Sequence, residues 1–462
     1  MIKNINNTVE TNKNIQYSNN KQMPFKGNGL SVGVKILDGF IKSQENLSST
    51  RFIQDTVTNW CPKVVFSRSK ADFAEFTFLE FLESGIFYFA APFLGEHLYR
   101  NGLFKKLQNK NISEEINKNL VNSLDTIKKS NLDNVLKKKV INTKAGMLAA
   151  CLAVPTAEYA LSFAKNLFTL KVFKISDFNN VANLNKEQKE NIEQQKRVEK
   201  NAKKELLKAG IVSLSGLGVG LALAKFGHKS NLVSKFSEFI LEPGDKISQG
   251  LKKIGINSQK TEKFLKDYLK LDFDNNNGKL ALSKGQLAAV CITGLFGYSN
   301  AAKDRGKLDF YEVWTRVPLV VIYTIFGSSL LDNAFKNILA KKGKFPELLK
   351  KTANGEINVP QSSELPKIAK KLAKQNNTTV KKELSELIKQ KSIITGVPYA
   401  FALLIMGFSL SGITRLWTQI RYNQMKKKEK EDVAKNALNI NPLNFAKVNL
   451  ASFKAFENKF IN

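Results

Sequence analysis

Six apolar stretches constrain this chain more than any motif it carries. They are 76–99, 145–170, 209–226, 285–300, 317–335 and 393–414, and lysine-rich connections separate them. A helix needs about 20 mostly apolar residues to cross a bilayer. Segments 209–226 and 393–414 meet that requirement best, and 317–335 comes close. Segments 76–99 and 145–170 carry internal acids, and 285–300 is short. A helix apolar on every side can also be the centre of a large soluble bundle. Two features favour lipid. Pro92, Pro155, Pro318 and Pro398 lie within or at the start of apolar segments, and proline is better tolerated in membrane helices than in soluble ones. Gly216, Gly220 and Ala224 recur at i, i+4 and i+8, a small-residue stripe for close helix packing. The expected fold is therefore all-α, a membrane-associated helical bundle with about six apolar helices.

The connections read as helices too. Ile112, Ile116, Leu120, Leu124 and Ile127 fall on one face, as do Leu365, Ile368, Leu372, Val380, Leu384 and Leu387. Residues 186–208 are almost wholly charged and read as a solvated helix. The formal net charge is +32, yet of 72 basic residues only eight are arginine. Nucleic-acid readers rely on arginine for bidentate contacts, so nucleic acid is not an expected partner. A lysine surface gives diffuse attraction to anionic lipid, and a codon bias toward Lys and Asn explains the excess equally well. Basic residues outnumber acids in every long connection, so the positive-inside rule assigns no orientation.

Two sets of internal similarities compete. At short range, Thr315, Val317 and Pro318 match Thr395, Val397 and Pro398; Ile325, Gly327, Ser329 and Leu330 match Ile405, Gly407, Ser409 and Leu410. At long range the matches are colinear. Phe66-Ser67 matches Tyr298-Ser299. Asp72-Phe73-x-Glu75 matches Asp309-Phe310-x-Glu312. Gly95, Leu98 and Asn101 match Gly327, Leu330 and Asn333, and Phe104-Lys105 matches Phe335-Lys336. Leu161-Ser162 and Leu167-Phe168-Thr169 match Leu410-Ser411 and Leu416-Trp417-Thr418. Their preserved order implies two diverged halves, 45–226 and 285–430. A mostly polar bridge (227–284), a flexible polar N-terminal tail (1–30) and a basic C-terminal tail (431–462) complete the expected organisation.

Catalytic signatures are lacking. No GxxxxGK[ST], HExxH or GxSxG occurs, so no enzyme is expected. Cys61, Cys151 and Cys291 are far apart and form no CxxC, which predicts buried free thiols and no zinc site. Asp272-Phe-Asp274-Asn-Asn276-Asn-Gly278 resembles a calcium loop, but Gly278 stands one position late and Ser283 occupies the place of the bidentate Glu, so an acidic turn before a helix is the better reading. Gly216-x-Gly218-x-Gly220 lacks dinucleotide spacing. No cofactor or metal is implied. Glu80, Glu83, Glu96, His97 and Glu158 are the candidate intramembrane polar site. Glu80 and Glu83 share a helix face, and ionisable groups in apolar segments are expensive enough to suggest function. Their plainer role is the wet face of an amphipathic helix.

The expected protein sits in the membrane, with the lipid bilayer, particularly anionic lipid, as its partner alongside protein partners that no motif identifies. Repeated halves with Pro/Gly-interrupted helices suggest transport of a small solute or ion between them. The alternatives are a surface scaffold binding anionic lipid or acidic partners, and a soluble bundle with nonspecific nucleic-acid affinity.

Overall fold

The computed structural model describes residues 30–438, except 46–48, 108–109, 186–188, 257, 277 and 352–356. The expected tail at 1–30 therefore lies almost wholly outside the described residues, as does the C-terminal tail beyond 438.

The described chain is almost entirely helical, with two short antiparallel hairpins. We number the longer helices α1 (Val32–Glu45), α2 (Ser49–Val65), α3 (Lys70–Phe89), α4 (Asn134–Ala150), α5 (Ala153–Phe173), α6 (Ile192–Phe226), α7 (Lys284–Arg305), α8 (Lys307–Ile322), α9 (Ser328–Lys341), α10 (Val380–Ala402) and α11 (Leu410–Leu438). Their starts follow from local chemistry. Asn191 accepts from the Glu193 and Gln194 amides to begin α6, Ser283 and Gln286 form a capping box for α7, and Thr379 caps α10.

At two of the prolines inside helices the register changes a few residues later. Pro318 is followed by a π-helical segment at Tyr323–Gly327, and Pro398 by one at Leu403–Ser409. Pro92 lies within a third, Ala90–Leu103. Proline removes an N–H and frees the carbonyl four residues back, which lets the ladder widen locally. The short-range match between 315–330 and 395–410 thus marks one shared device, a proline followed five residues later by a π segment.

Among the described residues, four helical units are long and apolar enough to cross a membrane: Asn134–Phe173, Ile192–Lys229, Lys307–Lys341 and Val380–Ala434. A bent pair, Lys70–Tyr88 with Phe93–Lys106, makes a fifth if it counts as one span. The expected six is thereby corrected. The 285–300 stretch does not qualify, because α7 brackets a short apolar centre with Lys284 at one end and Lys303, Asp304 and Arg305 at the other. Val380–Ala434 has 55 residues and, at ~1.5 Å per residue, runs about 80 Å, far more than a bilayer. Its basic C-terminal part must project beyond any membrane that its apolar part crosses.

α5 is the hub and packs against α3, α6 and α7. α6 lies along both α4 and α5, α8 packs on α11, and α2 packs on the 403–409 segment. One core gathers Ile116, Leu120, Leu124 and Ile127 around Val140, Met147 and Leu241. A second joins α1 to α10 through Ile41, Leu365, Leu384, Leu387, Ile388 and Ile394. The expected bridge at 227–284 holds three helices, Asn231–Leu241, Pro243–Lys253 and Gln259–Tyr268. Asp274–Asn276 then pairs with Lys279–Ala281, so the acidic turn is a β-hairpin. Asp272, just before it, is fully buried against Lys144 at 2.9 Å.

Candidate functional site

The chain enters α3 and α8 through closely matched residues, Arg305 being the last residue of α7. Arg68-Ser-Lys70-Ala-Asp72-Phe73-Ala-Glu75 and Arg305-Gly-Lys307-Leu-Asp309-Phe310-Tyr-Glu312 share Arg, Lys, Asp, Phe and Glu at identical spacing. Arg68 Nε lies 3.2 Å from Asp72 Oδ2, and Arg305 Nε lies 3.4 Å from Asp309 Oδ2. Each arginine also reaches the other helix's glutamate. Arg68 donates to both oxygens of Glu312 at 2.9 and 3.1 Å, and Arg305 NH1 lies 2.9 Å from Glu75 Oε1.

Each glutamate has a third partner. Thr169 of α5 donates to Glu75 at 2.5 Å, and Thr418 of α11 donates to Glu312 at 2.8 Å. Both guanidinium groups approach the ring of Phe178, at 5.3 and 5.7 Å from its centroid. Arg415 adds a further cation 2.8 Å from Asp72 and donates to the Phe66 carbonyl. Buried charges survive only when paired, and each of these has at least one partner of opposite charge.

Farther along the same two helices lies a cavity of about 110 Å³. Glu80, Glu83, Ser84 and Phe87 line it from α3, at 12, 15, 16 and 19 residues beyond Arg68. Val317, Val320, Val321 and Thr324 line it from the other side, at the same four intervals beyond Arg305. The cavity thus sits between matched registers of α3 and α8. Its lining is chemically lopsided, with carboxylates on the α3 side and mostly valine on the α8 side.

Within the cavity, Glu80 is paired with Lys63 of α2, and Tyr298 of α7 and Glu83 share the lining. Glu158 of α5 is 3% exposed, and its Oε2 has no hydrogen-bond partner. The Oδ1 of Asn59, also in the lining, is likewise unpartnered. Gly294 makes room for Glu158: a Cβ there would stand 3.0 Å from its Cγ.

Of the five residues expected to form a polar site, three meet here: Glu80, Glu83 and Glu158. The other two do not join them. Glu96 accepts from Arg100 at 2.9 Å and from the Leu280 amide, tying the Ala90–Leu103 segment to the hairpin. His97 is exposed. The expected packing stripe faces inward: Gly216, Gly220 and Ala224 are all buried, and Gly216 and Gly220 abut the α4 backbone.

Sequence reasoning passed over Lys63, Tyr298 and the paired arginines. The arginines had a readable signal, because Arg68 and Arg305 extend the Asp-Phe-x-Glu match four residues upstream. Lys63 and Tyr298 had none, since only tertiary packing brings them to the glutamates. Among the described residues no group of three or more His, Cys, Asp or Glu is placed to hold a metal ion. Compared with known proteins, the chain matches no family model, and no curated protein or solved structure is significantly similar to it.

Proposed function

We propose that this is an integral membrane protein whose two related helical halves enclose a cavity for a small solute and carry that solute across the bilayer. The membrane reading is supported by what the long apolar units leave uncovered. Only 11% of the apolar window is buried in Ile192–Lys229 and in Lys307–Lys341, and 22% in Val380–Ala434. Apolar surface on that scale is an aggregation liability in water and ordinary in lipid.

The two-half reading is supported by the reciprocal ion pairs and by the matched registers around the cavity. Both α3 and α8 start at the ion-paired end, so the halves run parallel, as in transporters whose repeats are related by an axis along the membrane normal. That comparison is an analogy of build. The observation that carries the solute reading is the cavity itself: it lies between matched positions of the two halves and holds Glu158, buried with a carboxylate oxygen unpartnered. Such a group is costly in an apolar setting and marks a site where something polar binds. The Arg68–Glu312 and Arg305–Glu75 pairs tie the halves together below the cavity and would have to part for a solute to leave by that end.

The test is reconstitution. Full-length protein in liposomes, offered a panel of labelled cations, anions and neutral solutes, should accumulate at least one faster than empty vesicles, and E158Q should lose that excess. A protein stripped from native membranes by alkaline carbonate, or vesicles no more permeable than empty ones to every solute in the panel, sinks the reading.

A further inference from the structure

We infer that the cavity binds a small protonated primary amine, an organic cation of one positive charge that brings its own N–H donors. The inference names the ligand class for the cavity of the proposed carrier, but it concerns binding and stands or falls separately from transport.

Three observations converge on that chemistry. The first is the kind of atom left unsatisfied. Glu158 Oε2 and Asn59 Oδ1 are both oxygens, both buried and both in the lining, and neither has a hydrogen-bond partner. Oxygens of this kind accept hydrogen bonds, and a buried acceptor left without one is destabilising. What belongs between them is a donor.

The second is charge. Glu80, Glu83 and Glu158 share one lining, and the cations within electrostatic range are Lys63, paired with Glu80, together with Arg316 and Arg415. Three carboxyl groups in so small a lining offer a cation several oxygen acceptors, whereas an anion would be repelled by them. Lys63 already shows the matching chemistry, a primary ammonium held by one of these carboxylates.

The third is shape. The lining adds the aromatic rings of Phe87, Tyr88 and Tyr298 to the carboxylates. Rings favour cations with an apolar body, and an inner-sphere metal site is not among the described residues. About 110 Å³ holds several waters or a molecule of a few heavy atoms, not a large ligand.

The experiment uses full-length protein in mild detergent at constant ionic strength, read by thermal unfolding. Ethylammonium should raise the midpoint saturably and with at least tenfold higher apparent affinity than tetramethylammonium, which carries the charge without the donors. Sodium and ethanol should give no saturable shift. E158Q should remove the ethylammonium response. N59A, which deletes an acceptor without touching the carboxylates, should weaken it several-fold, so the inference stays testable if E158Q folds poorly.

Equal responses to ethylammonium and tetramethylammonium would mean charge alone is read, and the inference fails. No response to ethylammonium means that water alone fills the cavity, and it fails again. A protein that transports a labelled solute while ignoring ethylammonium loses this inference and keeps the carrier reading. One that binds ethylammonium and transports nothing does the reverse.

Discussion

Arg68 holds Glu312 by two hydrogen bonds, 2.9 and 3.1 Å long, across 244 residues of chain. The fork-to-carboxylate geometry fixes the two helices in angle as well as distance. Removing one partner of such a pair leaves the other charge buried and uncompensated, a loss of about 3–5 kcal/mol. R68A should therefore lower the unfolding midpoint in detergent sharply, and R305A should do the same through Glu75. In a double-mutant cycle R68A and E312A should be strongly non-additive, because the second change relieves the charge that the first one strands. A loss under about 1 kcal/mol for R68A would place the pair among solvated surface bridges and undo this account.

The sequence carried the helical class because apolar residues at three- and four-residue spacing leave little alternative. Ile116, Leu120, Leu124 and Ile127 are all buried, but from two short helices, Lys110–Asn119 and Leu124–Lys129, with Leu120 in the turn between them and not on one continuous helix. It could not carry the break between neighbouring elements. Glu96 lies in the same apolar segment as Glu83, but thirteen residues on, about 20 Å farther along a straight helix. The π segment from Ala90 intervenes, and Glu96 instead meets Arg100 and the Leu280 amide. Glu158 joins Glu80 and Glu83 only through the packing of α5 on α3, a contact no local pattern encodes. The β-hairpin at 274–281 was invisible for a different reason. Its residues are Asp, Asn, Lys and Gly for the most part, poor strand formers by composition, and the buried Asp272–Lys144 pair beside it is a tertiary feature.

Gly220 and Gly146 meet where α6 crosses α4. A Cβ on Gly220 would stand 2.2 Å from the Gly146 carbonyl oxygen, and one on Gly146 would stand 2.3 Å from that of Gly220. The helices must therefore separate to admit even one methyl. G220A should destabilise by about 1–3 kcal/mol despite alanine's better helix propensity. Gly218, two residues away on the other face of α6, would meet nothing within 4 Å if it carried a Cβ. G218A is the matched control and should be neutral or slightly stabilising. Equal effects of the two substitutions in a thermal-unfolding assay would show that backbone entropy, not helix contact, sets the cost.

Lys144 and Asp272 form a fully buried pair, and Lys144 also donates to the carbonyls of Leu120 and Asn122. The ammonium so fastens α4 to the loop ahead of the hairpin and to the 120–122 turn. K144M should cost about 3–5 kcal/mol, since it strands the Asp272 carboxylate. K144M/D272L removes both charges and should recover much of that loss, because a buried pair is weak in net terms once both partners are gone. If the double variant is no more stable than K144M, the carbonyl contacts of Lys144 and not the stranded charge carry the penalty.

Glu242 closes the Asn231–Leu241 helix beside the same buried group. Burial, reinforced by the nearby Asp272 carboxylate, pushes its carboxyl up from 4.5 to about 7, with Lys270 and Lys144 opposing and Asp125 adding to the rise. The folded chain then keeps a proton that the unfolded chain releases above 4.5. The stabilisation is full below that value, declines as pH rises toward 7, and is gone above it. A tenfold difference in proton affinity is worth ~1.4 kcal/mol, so the swing is at most about 3.5 kcal/mol. The midpoint of unfolding should accordingly fall between pH 5 and pH 8. E242Q should flatten most of that slope and be the more stable protein at pH 8. Burial also raises the Asp272 carboxyl, so a shallower slope of the same sign should survive in the variant. An E242Q profile that parallels the wild type would assign the dependence to other groups and remove Glu242 from the account.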